Sequence, residues 1–240
     1  MNLGLTPEEW RVVALSVRVA LLALAVAFVP AVALARWLAR GRGLLRAVVG
    51  GLVLLPLVLP PVVTGYLALL SFGRRSPLGQ AWHALFGTHL SFSTSACVLA
   101  AVIVGFPLLV TSARLAFAAV DPRLEAVSRS LGHNRFATFR RVTLPLSAAG
   151  LVSGAILFTA RALGEFGATI VLAGNMPGET RQIPLAVYTL LNQPGGEPRA
   201  LRLAAFSALL SFAALLATAA LSGSRRRAEV SGSPANNSQP

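Results

Sequence analysis

The sequence predicts an all-α polytopic membrane protein with five transmembrane helices. Of its 240 residues, 55% are hydrophobic and only 12% are charged, whereas a typical soluble domain carries about 25% charged residues. Four runs contain no Asp, Glu or Arg: 17 residues after Arg18, 27 after Arg46, 38 after Arg75 and 22 after Arg202. Because a helix needs roughly 20 apolar residues to cross the hydrocarbon core of a bilayer, this spacing of charge predicts several membrane spans.

The first span is predicted over residues 10–37, and its start carries the signals of a helix N-terminus. Thr6 is a candidate cap, Pro7 follows at the first helical position, and Glu8 and Glu9 fall in the first turn. A cap oxygen accepts a free backbone N–H, and acidic residues in the first turn are stabilised by the helix dipole. The first helix is therefore expected to begin directly after Thr6.

The second span is predicted over residues 44–72, and it contains Pro56, Pro60 and Pro61 followed by Gly65. Proline removes a backbone donor and kinks a helix. In lipid, a broken helix needs protein or a water-filled cavity beside it. Two interpretations stay open: a tolerated kink, since proline is common in membrane helices, or a bend that lines a transport pathway.

The other three spans are predicted over residues 92–117, 146–173 and 201–221. An apolar stretch at 183–191 is too short to cross. Together the spans define a transmembrane domain over residues 1–222. The remaining segment, 223–240, is rich in Ser, Asn and Pro and is predicted to be a disordered cytoplasmic tail.

The arginines are unevenly divided between the two sides of the membrane. Segments 36–46, 114–141 and 225–227 contain 13 arginines, against 7 in the segments on the opposite side. Cytoplasmic loops carry the excess of positive charge. We therefore expect the amino terminus outside and the carboxyl terminus in the cytoplasm.

The loop between the third and fourth spans, residues 118–144, has a helix-turn-helix pattern. Asp121 and Pro122 begin a helix, Gly132 suits the left-handed residue at its end, and Asn134 caps a second segment. Three apolar residues of the first helix share one face: Leu124, Val127 and Leu131. Two interpretations fit this pattern: an amphipathic hairpin on the anionic leaflet, or an element whose apolar side chains dock into a partner.

This loop resembles the signature loop of ABC-importer permeases. Glu125 and Ala126 match its start, and Gly132 is followed by nine residues and then by Val-Thr-Leu-Pro at 142–145. In that family the loop forms a coupling helix that enters a cleft on a cytoplasmic ATPase. The resemblance implies that six residues couple to the ATPase: Glu125, Ala126, Leu131, Gly132, Leu144 and Pro145.

Other segments are similar to permeases of the molybdate type, and the likeness covers about residues 10–222. They are LPPVVTGY at 59–66, GRRSPLG at 73–79, RALGEFGAT at 161–169 and PGETR at 177–181. The resemblance implies a type I ABC importer permease in a bacterial or archaeal cell membrane. Its implied partners are membrane lipid, a second copy of the chain, two copies of an ATP-binding subunit and an external molybdate-binding protein. Permeases for tungstate or sulfate are the alternative within the family.

The fourth predicted span contains a charge pair and a pair of glycines. Arg161 and Glu165 are four residues apart and share a helical face. Charges inside a membrane usually face protein or water, so the pair is either a lock between helices or part of the pathway. The candidate pathway residues are Pro60, Pro61, Thr64, Gly65, Arg161 and Glu165. Gly150 and Gly154 form a small-xxx-small pair that allows close contact between helices.

The composition argues against bond chemistry in this chain. All 21 basic residues are arginine, so neither a P-loop lysine nor a lysine Schiff base is available. Cys97 is the single cysteine, and the three histidines lack metal-ligand spacing. We therefore predict no catalytic residue, metal or cofactor, and we assign the net charge of +13 to cytoplasmic loops rather than to nucleic acid. A gradient-driven transporter is the main rival, although Glu165 is the one candidate carboxylate for ion coupling.

Overall fold

The structure is a computed structural model that describes residues 4–41 and 43–231. Within these residues the chain forms eleven α-helices and no strand: α1 (Pro7–Ala39), α2 (Leu44–Val58), α3 (Pro61–Phe72), α4 (Pro77–Phe86), α5 (Thr94–Ala118), α6 (Pro122–Ser130), α7 (Arg135–Thr138), α8 (Leu144–Leu163), α9 (Gly167–Leu172), α10 (Ile183–Leu191) and α11 (Glu197–Ser231). A π-helical turn, Phe139–Thr143, joins α7 to α8.

Among the described residues, four helical segments are long and apolar enough to cross a membrane. They are Pro7–Ala39, Thr94–Ala118, Arg135–Leu163 and Glu197–Leu216. Helices α2 and α3 pass the same test only as a pair, and they meet at an angle of 115°. The all-helical membrane fold expected from the sequence is confirmed.

The core is formed by α1, α5 and α8, and α1 contributes a stripe of small side chains to it. Five residues at intervals of four are at most 1% exposed: Val19, Ala23, Ala27, Ala31 and Ala35. Residues four apart lie on one helical face, and small side chains let a second backbone come close. Helix α5 packs along this stripe with small residues of its own.

Helices α5 and α8 meet at the glycine pair of α8. A Cβ atom on Gly150 would lie 2.5 Å from the Cβ of Ala116, and one on Gly154 would lie 2.9 Å from the Cβ of Ser112. Real Cβ contacts essentially never fall below 3.0 Å. The close helix contact predicted from the small-xxx-small spacing is confirmed.

The break between α2 and α3 lies at Leu59 and Pro60. Pro60 precedes the first residue of α3, and Pro61 occupies its first position, where a missing N–H costs nothing. Pro56 lies inside α2. The structure therefore places the bend at the Pro60–Pro61 pair and leaves Pro56 within a continuous helix.

The helical bundle has two distinct ends. At the first, which we call the loop end, Arg40 near the close of α1 pairs with Glu125 of α6. At the other, the far end, Glu9 near the start of α1 pairs with Arg199 near the start of α11. Helices α1, α5 and α11 therefore run toward the loop end, and α8 runs back. Residues 43–93 begin at the loop end and finish at the far end.

Two segments differ from the predicted bounds. The span predicted over 146–173 is interrupted, because α8 stops at Leu163 and α9 resumes at Gly167. The tail predicted to be disordered from residue 223 continues as helix α11 to Ser231. Its Arg, Ala and Glu residues are good helix formers, and composition alone did not reveal that. Residues 232–240 lie outside the described part of the chain.

Candidate functional site

The loop-end element, α6 and α7, is built by the capping residues predicted from the sequence. The side chain of Asp121 accepts the N–H of Arg123 at 2.8 Å, and that of Asn134 accepts the N–H of Ala137 at 2.8 Å. Between the two helices Gly132 adopts a left-handed φ of 87°, which glycine tolerates without steric cost. The predicted helix, glycine turn and second helix are all present.

Glu125 fastens this element to two membrane helices. Its Oε1 atom pairs with the Nη2 atom of Arg40 at the end of α1. The same oxygen accepts the hydroxyl of Thr143, the residue before α8. One carboxylate thus joins α6 to the end of α1 and to the residue that precedes α8.

A second polar cluster holds α6 against α7. The Ser128 hydroxyl lies 3.1 Å from the Thr138 hydroxyl and 3.3 Å from Nδ1 of His133. Nε2 of that histidine lies 2.6 Å from Nη1 of Arg141. Ser128 and Thr138 are buried, so the element has a small polar core of its own and is expected to move as one body.

The outer surface of the loop-end element is apolar and has no cover among the described residues. Leu131 is 73% exposed and Phe136 is 71% exposed. Leu124 and Val127 are exposed as well, and so is Ala126. Leu144 and Pro145 belong to the start of α8, and Leu144 packs against the bundle core. The predicted coupling residues therefore fall into three groups. Ala126, Leu131 and Gly132 are exposed, Glu125 connects α6 to Arg40 and Thr143, and Leu144 and Pro145 begin α8.

The candidate pathway residues come together where α3 packs on α9. A Cβ atom on Gly65 would lie 2.7 Å from the Cα of Ala168, and one on Gly167 would lie 2.7 Å from the Cβ of Pro61. The Thr64 hydroxyl is buried and donates to the Pro60 carbonyl at 3.4 Å. Two segments about 100 residues apart in sequence thus meet with their backbones in contact.

The charge pair lies beside this contact, with Arg161 in the last turn of α8 and Glu165 in the break between α8 and α9. Nη1 of Arg161 is 2.7 Å from Oε2 of Glu165. The Glu165 side chain is 1% exposed, whereas that of Arg161 is 30% exposed. The other carboxylate oxygen accepts the N–H of Ala168 at 2.7 Å. Glu165 therefore stabilises the start of α9, and Arg161 carries the more accessible charge.

Three residues of these sites were not predicted from the sequence: Arg40, Thr143 and Ala168. Charge complementarity offered a signal for Arg40, because the described inner segments contain few acidic residues and Glu125 is one of them. Thr143 lies within the Val-Thr-Leu-Pro match without any distinguishing feature. Ala168 contributes its backbone, and sequence patterns do not report backbone proximity.

Most of the chain is similar to known membrane transport proteins. Residues 31–227 match the family described as "Binding-protein-dependent transport system inner membrane component". The "Molybdenum transport system permease protein ModB" of Escherichia coli (strain K12) is 45% identical over 212 residues, which are 88% of this chain and 93% of that protein. The protein of the same name from Haemophilus influenzae is 43% identical, over 71% of this chain and 75% of its own length.

An archaeal relative is also similar. The "Probable molybdenum ABC transporter permease protein HVO_B0370" of Haloferax volcanii is 48% identical over 66% of this chain and 57% of its own length.

Proposed function

The chain belongs to the family of binding-protein-dependent transport system inner membrane components, and we propose that it is the permease subunit of an ATP-driven importer for the molybdate oxyanion. The observation that carries this proposal is the 45% identity to the Escherichia coli molybdenum permease over 88% of the chain. The chain is a non-catalytic transport subunit, so ATP hydrolysis belongs to a partner. Two segments that resemble molybdate permeases, 59–66 and 161–169, also pack against each other.

The ATPase docks on the loop-end element. Its exposed apolar face, formed by Leu124, Val127, Leu131 and Phe136, suits a groove on a protein partner. Ala126 has a small side chain and Gly132 has none, so a partner can contact the main chain at these positions. A hairpin that only lies on the lipid surface needs no rigid connection to the membrane-spanning helices. Glu125 provides such a connection, because it bonds both Arg40 of the first span and Thr143. This connection favours docking over membrane adsorption.

Movement passes from the docked element to the spans through Glu125 and the base of α8. The carboxylate holds α1 through Arg40 and α8 through Thr143. Leu144 and Pro145 continue the same helix without a break from α7. A tilt of α6 and α7 imposed by the ATPase therefore rocks α1 and α8 together, which suits alternation between two packed states.

The chain crosses the membrane five times, with residues 1–222 as the transmembrane domain and the amino terminus outside. Four segments are long enough to cross alone, and the bent pair α2–α3 supplies the fifth. Residues 43–93 begin at the loop end and finish at the far end, which supports that assignment. The loop end carries most of the arginine and is therefore cytoplasmic.

The oxyanion passes along the contact between α3 and α9. The bend at Pro60 and Pro61, the buried Thr64 and the Gly65 contact bring irregular backbone beside the charge pair. Arg161 is partly exposed while Glu165 is buried, so Arg161 offers positive charge to an anion near the gate. The pair also locks α8 to α9, and both roles are compatible.

The complete transporter contains two copies of this chain, two ATPase subunits and an external binding protein that delivers molybdate. Extensive apolar surface on α2 and α3 remains exposed among the described residues, which gives lipid and the second copy surfaces to cover. A related permease for tungstate or sulfate would share this architecture, because all three cargoes are tetrahedral dianions.

Reconstitution tests the proposal. The chain is placed in vesicles with a partner ATPase and a molybdate-binding protein, and uptake of molybdate, tungstate and sulfate is measured separately with ATP inside. We expect ATP-dependent molybdate uptake. Leu131→Asn is expected to lower it at least tenfold, whereas the matched control Ser130→Asn, on the neighbouring exposed residue, retains it.

Two results contradict the proposal. Uptake that needs an ion gradient but no ATPase would identify a secondary transporter. Uptake of sulfate in preference to molybdate, with the same binding protein, would reassign the cargo within the family.

A further inference from the structure

A basic groove separates the end of α1 from the loop-end element. Its volume is about 700 Å³, and its walls include Arg36, Arg40, Glu125, Arg129, Arg135 and Phe139. Four guanidinium groups face one carboxylate there. Since Glu125 is already paired with Arg40, the groove has an excess of positive charge.

Two of the guanidinium groups have polar atoms that nothing in the described chain satisfies. Nη1 of Arg36 and Nε of Arg40 are buried and have no hydrogen-bond partner among the described residues. Arg36 stacks on the Phe139 ring at 4.1 Å from its centroid, which holds the guanidinium plane in place. Buried donors without partners are costly, and they add uncompensated positive charge beside the exposed guanidinium groups of Arg129 and Arg135. An oxyanion is the ligand that several guanidinium groups can share.

The position of the groove along α1 matches the headgroup layer of a bilayer. Arg18 and Arg36 bracket the uncharged part of α1, and 18 residues of helix rise about 27 Å, close to the thickness of the hydrocarbon core. Trp37, beside Arg36, is 37% exposed, as interfacial tryptophans are. Arg36 and Arg40 therefore lie where lipid phosphates lie, whichever way the chain is oriented.

We propose that this groove binds the phosphate group of an anionic phospholipid. The guanidinium groups of Arg36, Arg129 and Arg135 face the phosphate oxygens, and the groove is far larger than a single oxyanion, so it has room for the glycerol headgroup. The lipid lies between α1 and the element that Glu125 attaches to it. It thereby stabilises the position of α6 and α7 relative to the bilayer, independently of any ATPase.

The test uses the full-length permease alone, in micelles that contain equal amounts of phosphatidylglycerol and phosphatidylcholine, with bound lipid counted by native mass spectrometry. Arg129 and Arg135 are exposed, so the double variant R129Q/R135Q avoids the α1 core. The control R123Q/R140Q removes the same charge from exposed arginines outside the groove. We expect phosphatidylglycerol to bind at least fivefold more weakly to the groove variant, and within twofold of the wild type to the control.

Equal weakening in both double variants would overturn the proposal, since general surface charge would then explain the binding. A second arm measures binding of radiolabelled inorganic phosphate by equilibrium dialysis. If free phosphate binds with the same arginine dependence and phosphatidylglycerol does not, the lipid source is wrong. If R129Q/R135Q instead reduces only capture of the purified ATPase, the groove receives protein and the proposal fails. None of these results depends on whether molybdate is the cargo.

Discussion

Gly65 of α3 and Ala168 of α9 touch through their backbones. A Cβ atom at position 65 would lie 2.7 Å from the Cα and 2.8 Å from the carbonyl oxygen of Ala168. The neighbouring obstacle is main chain, which cannot rotate away as a side chain does. The absence of a side chain at position 65 therefore sets the distance between α3 and α9, on which the candidate pathway depends.

Gly65→Ala is expected to push α3 away from α9 and to lower transport at least tenfold. Overpacking of this kind costs about 1–3 kcal/mol, so the protein is expected to insert but to melt earlier. Uptake in vesicles and thermal unfolding in detergent measure the two effects. The matched control is Gly51→Ala in α2, where a Cβ meets nothing within 4 Å and helix propensity improves. Normal uptake by Gly65→Ala would show that this contact does not limit transport.

Glu125 is expected to act through its ion pair with Arg40 and its hydrogen bond with Thr143, rather than through its charge alone. Glu125→Ala removes the partners of Arg40 and Thr143 and is expected to abolish uptake while leaving membrane insertion intact. Both side chains of the ion pair are partly exposed, with 27% for Arg40 and 13% for Glu125, so the pair contributes at most about 1 kcal/mol. With the lost Thr143 hydrogen bond, the loss of stability should stay within about 1–2 kcal/mol. ATP hydrolysis measured together with uptake will show whether the two become uncoupled.

The charge-reversed pair supplies the control for Glu125. If the ion pair transmits movement, Arg40→Glu and Glu125→Arg each lose uptake, and the combined variant regains part of it. A combined variant as inactive as the single ones would indicate that Glu125 contacts the ATPase directly and that its link to α1 is secondary.

Arg161 and Glu165 are expected to respond unequally to substitution. Arg161→Ala leaves a fully buried carboxylate without its cation, which costs about 3 kcal/mol. Glu165→Gln keeps an acceptor for the N–H of Ala168 and leaves Arg161 partly in contact with solvent, so it should cost less. Thermal unfolding of the two variants and of the double variant measures this order. If Arg161→Ala stays assembled but loses uptake, the pathway role is supported; if its complex falls apart, the pair is a structural lock.

The sequence predicted those features that depend on local chemistry. The caps at Thr6, Asp121 and Asn134 and the left-handed Gly132 follow from side chains that bond their own backbone. Two glycines four residues apart indicated that α8 can accept a close helix contact, and the structure shows that the partner is α5. Each of these inferences needed only residues close together along the chain.

The features that escaped prediction are long-range. Charge complementarity alone does not select Arg40 among the inner arginines as the partner of a residue 85 positions later, and the contact of Gly65 with Ala168 joins backbones with no distinctive side chain. The break at Gly164–Phe166 depends on Glu165 turning back to the N–H of Ala168, whereas an apolar pattern alone favours a continuous helix. Such contacts are fixed by packing between helices, which one sequence does not reveal.

Glu9 at the far end is expected to be the most sensitive acidic residue for stability. It is 2% exposed, its Oε2 accepts the N–H of Thr6 at 2.8 Å, and its Oε1 lies 3.3 Å from Nε of Arg199 and 3.2 Å from Nη2 of Arg202. Glu9→Ala removes the bond from the Thr6 N–H, which is half of the capping box, and two ion pairs that join α1 to α11, so we expect a loss of about 2 kcal/mol. Glu9→Gln retains the cap and should lose about half as much.

Glu8 provides the matched control, because it is 67% exposed and makes one ion pair of 3.3 Å with Arg199. Glu8→Ala should change stability by less than about 1 kcal/mol. Trp10 lies edge-on to Phe206 with ring centroids 5.8 Å apart. With Trp37 and Trp82 replaced by Phe in every variant, the remaining tryptophan fluorescence reports on this end during thermal unfolding. Equal melting temperatures for Glu8→Ala and Glu9→Ala would mean that the buried carboxylate does not hold α1 to α11, and that apolar packing alone joins them.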